Sequence, residues 1–255
     1  MRADPLAGRR AVITGASRGI GAAIALRLAE AGAETILIGR DAEALAGQTA
    51  RIPNATSAIC DVTDAAQVEK VFAETLARSA VDILVNNAGA AESAPFIKTS
   101  DAVLERMLSI NLRSAFRCTR AVLPSMLAGG FGRVVNVASI AGLRGYPYVT
   151  AYVAAKHALV GFTRALAMEV VQKGITVNAV CPGYADTDLV RGAVSAIVEK
   201  TGRSPGEVVR EMIRTNPLGR MIRPEEIAET VAWLCGPETG SITGQAIAIA
   251  GGEIM

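Results

Sequence analysis

The chain has 255 residues, a formal net charge of +2 and 51% hydrophobic residues, enough apolar material for one large α/β domain or two small ones. So small a charge excludes a strong general attraction to nucleic acid or an anionic membrane surface. No apolar run is long enough to span a bilayer, Met1 to Arg10 lack the apolar core of a signal peptide, and the scattered Cys60, Cys118, Cys181 and Cys235 read as reduced, buried residues of a cytoplasmic protein.

Short β-rich runs alternate with longer amphipathic segments. Residues 11–14 read as the first strand and 19–31 as a helix closed by Gly32. A second strand covers 35–38, a helix starts near Asp41, and a third strand covers 56–60. Residues 64–78 are helical, with Val68, Val71, Phe72 and Leu76 at helical spacing. The fourth strand is 82–85, and one long helix is expected over 101–127. A fifth strand at 133–137, a long helix over 150–172 and a sixth strand at 175–180 follow. A helix at 225–234 and a short strand at 246–250 close the chain. The strands are continuous apolar runs, the pattern of a parallel sheet covered on both faces. The repeated βα units point to a single-domain α/β fold over 1–255, a Rossmann-type doubly wound parallel sheet with helices on both faces. Residues 189–216 break the rhythm, with Gly192, Gly202 and Ser204-Pro205-Gly206 between pieces that look helical. An insertion after the sixth strand lies at the carboxyl edge of the sheet, where ligands bind, and reads as a substrate lid; a plain surface excursion is the alternative.

The first strand runs into Thr14-Gly15-Ala16-Ser17-Arg18-Gly19-Ile20-Gly21. Glycines between a first strand and a first helix allow a tight turn and a close backbone approach to a pyrophosphate, which the helix N-terminus faces. The second strand ends Ile38-Gly39-Arg40-Asp41. An NAD site usually places an acid there, on the ribose hydroxyls. Gly39 has no carboxylate, while Arg40 and Arg18 carry planar cations suited to a phosphate, so NADP(H) is favoured over NAD(H). The rival is Asp41, which is expected instead to cap the next helix. Asp61-Val62 follows the third strand, where an acid can meet an adenine amino group. Asn86-Asn87-Ala88-Gly89 follows the fourth, small enough for backbone to pass close to a cofactor. Both segments also fit ordinary turn chemistry.

Tyr152 and Lys156 stand at i and i+4, on one helix face, downstream of Asn111 and Ser139. A phenol has a pKa near ~10, and working near neutral pH requires about 4 kcal/mol of help. A cation at ~4 Å in an effective dielectric of ~20 supplies about that much. The pair suits an acid-base tyrosine beside a nucleotide cofactor. The single histidine, His157, cannot form a Ser-His-Asp triad and a metal site at once; it is expected in packing or at an interface.

Taken in order, these residues resemble the short-chain dehydrogenase/reductase family over nearly the whole chain. The resemblance rests on Thr14-Gly15-x-x-x-Gly19-x-Gly21, Asp61, Asn86-Asn87-Ala88-Gly89, Asn111, Ser139, Tyr152-x-x-x-Lys156, Pro182-Gly183 and Thr187. It continues through Asn216-Pro217-Leu218-Gly219-Arg220, Thr243-Gly244-Gln245 and Gly251-Gly252. It implies that Tyr152 is the acid in carbonyl reduction and the base in alcohol oxidation. Lys156 would lower its pKa and hold the nicotinamide ribose, Ser139 would hydrogen-bond the substrate oxygen, and Asn111 would hold a water linking Lys156 to solvent. Pro182, Gly183 and Thr187 would line the nicotinamide, and the assembly would be a homotetramer. Two departures stand out: Ala138 precedes Ser139 where a second serine is frequent, and Ala250 precedes Gly251-Gly252 where an acid is frequent.

The substrate is less legible. The loop Ala141-Gly142-Leu143-Arg144-Gly145-Tyr146-Pro147-Tyr148 should border it, and the lid carries Arg191, Lys200, Arg203, Arg210 and Arg214. These cations suit either an anionic handle, such as the phosphates of coenzyme A or a carrier-protein arm, or a solvated helix face. The pattern is most similar to 3-oxoacyl-thioester reductases and 3-hydroxyacyl-CoA dehydrogenases. Dehydrogenases of 3-hydroxybutyrate or of a sugar or polyol remain alternatives, as does a nucleotide-binding sensor that has lost catalysis; retention of Asn111, Ser139, Tyr152 and Lys156 argues against the last.

Overall fold

The computed structural model describes residues 4–254; the sequence expectations for Met1–Ala3 and Met255 lie outside them. Seven parallel strands form one sheet in the order β3-β2-β1-β4-β5-β6-β7: β1 (Arg10–Thr14), β2 (Glu34–Gly39), β3 (Ala55–Ile59), β4 (Ile83–Asn86), β5 (Gly132–Val137), β6 (Ile175–Pro182) and β7 (Ala246–Ile249). β1 pairs on one side with β2, Thr14 opposite Ile38, and on the other with β4, Ile13 opposite Val85. The strand order reverses between β1 and β4, which opens a crevice at the carboxyl ends of the strands.

Alternate residues of each strand face opposite layers. Ile13, Leu37, Val85, Val135 and Val180 pack with Ile24 and Leu28 of α1 (Gly19–Glu30), Leu45 of α2 (Ala42–Thr49), and Ile227 and Val231 of α9 (Pro224–Cys235). Val12, Ile36, Leu84, Val134 and Val177 pack with Phe72 of α3 (Ala65–Arg78), Val122 of α5 (Ser114–Gly129), and Leu166 of α6 (Thr150–Val170). All four cysteines are buried and unpaired, and among the described residues no helix is long and apolar enough to cross a membrane.

Local chemistry sets several boundaries. Asp41 caps α2, its carboxylate accepting from the Ala44 N–H at 3.0 Å, and Asp64 caps α3 through the Ala66 and Gln67 N–H groups. The segment expected as a lid folds as two helices packed on each other, α7 (Asp188–Thr201) and α8 (Pro205–Met212). Gly202, in left-handed backbone at φ +68, ends the first. A Ser204/Glu207 capping box with Pro205 at the first helical position starts the second.

Two expectations fail here. The single helix over 101–127 is instead α4 (Asp101–Leu108), a π-helical turn Ser109–Arg113, and α5. Side-chain spacing does not reveal one extra residue in a turn, and such turns gather at functional sites. Continuous burial of every strand also fails at the sheet edges: β3 is largely exposed and β7 half-exposed, since an edge strand has a neighbour on one side only.

Candidate active site

The glycine turn is held by hydrogen bonds to the end of β4. The Asn87 side-chain amide donates to the carbonyls of Thr14 and Gly15, each at 3.0 Å, while the Thr14 hydroxyl accepts from the N–H groups of Asn87 and Ala88 at 3.0 and 3.1 Å. Gly15 is in left-handed backbone at φ +65, and a Cβ on it would stand 2.9 Å from the Ala88 Cα. A Cβ on Gly21 would lie 2.3 Å from the Gly15 carbonyl oxygen. No larger residue fits either position without shifting backbone. Arg18, exposed, occupies the N-cap of α1 in extended backbone, and no side chain caps that helix end. Thr187 caps α7 and sits 3.3 Å from where a Cβ on Gly19 would be. The segment Pro182-Gly183 to Thr187 thus closes over the glycine turn, with Gly183 donating to Ile249 at 3.0 Å.

At the end of β2, the Arg40 side chain is 77% exposed and its guanidinium lies 3.7 Å from Asp61. Asp61 also accepts from the Thr63 hydroxyl and N–H at 2.7 and 2.9 Å. Chiefly through Thr63, and further through Arg40, its carboxyl is held below the usual range, with burial opposing. Val62 is buried beside it.

Around Gly89 the proposed catalytic groups converge. A Cβ there would lie 2.8 Å from Asn111 Oδ1 and 3.5 Å from Lys156 Nζ. Asn111, in the π-helical turn, is buried; its amide nitrogen donates to the carbonyls of Ala90 and Met107 at 2.9 and 3.0 Å, and its oxygen accepts from the Ala90 N–H at 3.3 Å. Lys156, 4% exposed, donates to the Val137 carbonyl at 2.9 Å, and burial pushes its pKa down to about 8. Its ammonium lies 5.7 Å from the centre of the Tyr152 ring. The Ser139 hydroxyl accepts from the Ala141 N–H at 3.1 Å, which leaves its own hydrogen available to a ligand. Burial holds the Tyr152 phenol above its ordinary value, and the Ser139 hydroxyl opposes that. Withdrawal from water disfavours the phenolate and the ammonium alike.

Beneath the site, the Asn86 amide donates to Asn136 Oδ1 at 2.8 Å and to the Thr119 hydroxyl at 3.0 Å, and the Asn136 amide donates to the Thr163 hydroxyl at 2.8 Å. This buried chain ties β4, β5 and α6 together. Tyr148 has φ +66, rare for a bulky residue, and its carbonyl accepts from the Ala94 N–H at 2.8 Å, joining the loops after β4 and β5. Sequence reasoning missed Tyr184 and Glu253 as neighbours of this region, because nothing local marks them. His157 is exposed, with Nδ1 3.0 Å from the Val153 carbonyl. Of the cations expected to face a substrate from residues 189–216, Arg191 is committed to Asp186 and Asp188, and Arg214 lies 3.4 Å from Glu211.

The arrangement fits a dinucleotide. Three glycines make a cradle that any Cβ would fill, an uncapped helix end faces it, and Tyr152 and the buried Lys156 stand beyond it near Gly89.

A family model described as enoyl-(acyl carrier protein) reductase matches residues 15–253. The 3-oxoacyl-[acyl-carrier-protein] reductase FabG of Rickettsia conorii is 34% identical over 252 residues, 98% of each chain. D-beta-hydroxybutyrate dehydrogenase of Rhizobium meliloti is 36% identical over 256 residues, 96% of this chain and 98% of the relative. The crystal structure of a variant of actinorhodin polyketide ketoreductase with NADPH has a TM-score of 0.92 at 36% identity, covering 96% of this chain and 97% of that one.

Proposed function

The chain belongs to the short-chain dehydrogenase/reductase family, oxidoreductases acting on CH–OH with a nicotinamide nucleotide, and we propose that it interconverts a 3-oxoacyl thioester and its 3-hydroxy form with NADP(H). The observation that carries the chemistry is the convergence of Asn111 and Lys156 on Gly89, beside Tyr152 and Ser139. Gly15, Ser17, Arg18, Gly19, Ile20 and Gly21 would hold the pyrophosphate, Asp61 and Val62 the adenine, and Arg40 a 2′-phosphate. Asn87, Ala88 and Gly89 would let backbone pass along the cofactor, and Pro182, Gly183 and Thr187 would line the nicotinamide, which supplies hydride when bound. Ser139 donates a hydrogen bond to the substrate oxygen and Tyr152 gives it the proton. Lys156 holds the ribose and favours the phenolate left behind. Asn111, its orientation set by three hydrogen bonds, holds a water through which Lys156 exchanges protons with solvent.

The thioester reading is supported by the likeness to the 3-oxoacyl reductase and by Tyr146 in the loop expected to border the substrate, with the Arg144 guanidinium 5.0 Å from its ring centre. A 3-hydroxybutyrate substrate is the second reading, on the likeness to that dehydrogenase. NADPH oxidation with acetoacetyl thioester, acetoacetate, a keto sugar and crotonyl thioester separates them. The expected result is a kcat/KM for acetoacetyl thioester about tenfold or more above the others. Preference for acetoacetate or the sugar moves the substrate class, and turnover of crotonyl thioester alone moves the reaction to the C=C bond.

We further propose a homotetramer. The Phe116 ring on α5 lies tilted against that of Phe162 on α6, centroids 5.6 Å apart, while remaining 47% exposed, and Met168 on α6 is 80% exposed. Sedimentation at micromolar concentration should show one boundary at four protomer masses; a monomer would remove the proposal.

A further inference from the structure

The carboxyl end of the chain reaches back to the substrate side of the site. Gly251 and Gly252 have φ of +61 and +88. A Cβ on Gly251 would stand 2.3 Å from Asn216 Oδ1, so the tail passes the end of the lid only because that residue is glycine. The Leu218 N–H donates to the Gly251 carbonyl at 3.1 Å. The turn delivers Glu253 between two segments distant in sequence. Its Oε1 accepts from the Tyr146 hydroxyl at 2.9 Å and from the Thr215 hydroxyl at 3.0 Å. Tyr146 belongs to the loop between Ser139 and Tyr152, and Thr215 to the turn that ends the lid just after α8. Oε2 is shielded from solvent and accepts no hydrogen bond.

We propose that Glu253 is a positioning residue that braces Tyr146 against the end of the lid, holds the far wall of the substrate cleft in place, and so limits the size of the ketone that is turned over. After burial, the same carboxylate holds both Tyr146 and Tyr184 above the ordinary phenol range. Without that brace the far end of the loop keeps Tyr148, whose φ of +66 is unfavourable for its side chain, and its backbone bond to Ala94. Because Oε1 makes both bonds and Oε2 makes none, glutamine keeps every hydrogen bond that glutamate makes, while alanine removes both. The proposal rests on the ketoreductase reading only in its activity readout.

The test compares wild type, Glu253→Ala, Glu253→Gln and Tyr146→Phe on two neutral ketones of different size, ethyl acetoacetate and ethyl 3-oxooctanoate. In Glu253→Ala the ratio of kcat/KM for the large ketone to that for the small one should rise about tenfold. The rise should come from KM, with kcat for the small ketone changed less than about threefold. Tyr146→Phe should move the ratio in the same direction, and Glu253→Gln should return it to within about twofold of wild type. An unchanged ratio in the alanine variant, or a glutamine variant that behaves like alanine, overturns the proposal. Amide hydrogen exchange gives a second arm that needs no turnover: Glu253→Ala should exchange faster in both 140–149 and 213–216. Unchanged exchange in either segment overturns the brace, whereas failure of wild type to reduce either ketone counts against the ketoreductase reading.

Discussion

Tyr152→Phe is expected to lower kcat by about 10²- to 10⁴-fold, the range a positioned general acid contributes, while cofactor affinity stays within a few-fold. The ring that packs in the site remains; only the proton donor is lost. Burial holds this phenol above its ordinary value, so in wild type it is a neutral, proton-bearing donor. A variant keeping more than a tenth of wild-type turnover would remove Tyr152 from the mechanism. Lys156→Ala should act on two quantities at once, lowering kcat and weakening cofactor binding. It should also lower stability by about 1–3 kcal/mol, because the Val137 carbonyl loses the donor that reaches it at 2.9 Å in a buried site. Single-turnover rates, cofactor titration and denaturant unfolding separate the three.

The wild-type enzyme should prefer NADPH to NADH by roughly ten- to several-hundred-fold in kcat/KM with one ketone. Arg40 and Arg18 each offer a charge-assisted hydrogen bond worth about 1.5–3 kcal/mol when well formed. Exposure of both side chains discounts that sum, with ~1.4 kcal/mol to each decade. Asp41, the rival for the ribose, already has its carboxylate on the Ala44 N–H as the cap of α2. Asp61 stands 3.7 Å from the Arg40 guanidinium, so a 2′-phosphate must compete with that carboxylate for the cation. The preference should weaken in high salt. Gly39→Asp with Arg40→Leu should turn it toward NADH, adding repulsion as well as removing attraction. A Cβ at Gly39 meets only the Leu45 side chain, at 3.5 Å or more, so the change should fold. Equal kcat/KM for the two cofactors in wild type would show that a backbone contact, not Arg40, governs this end of the site.

Those parts of the protein that depend on neighbours within one turn or one strand are legible in the order of its residues. The alternation of apolar runs with amphipathic segments specified a parallel α/β sheet. The glycines at 15, 19 and 21 marked a turn that no side chain can enter, the offset of Tyr152 and Lys156 placed them on one helix face, and Asp41 was legible as a cap from the residues just after it. Tertiary structure alone decided what depends on segments far apart. The π-helical turn that turns Asn111 toward Ala90 is indistinguishable by spacing from ordinary helix. The burial that takes Lys156 to about 8 comes from β5, β6 and α6 folding around it. Arg191 and Arg214 read as loose cations in sequence and are paired in the fold. Glu253 finds Tyr146 across 107 residues of chain. Local patterns set backbone conformation and which face a residue occupies. Dielectric environment and hydrogen-bond partners belong to the space around a group, and only the folded chain fills that space.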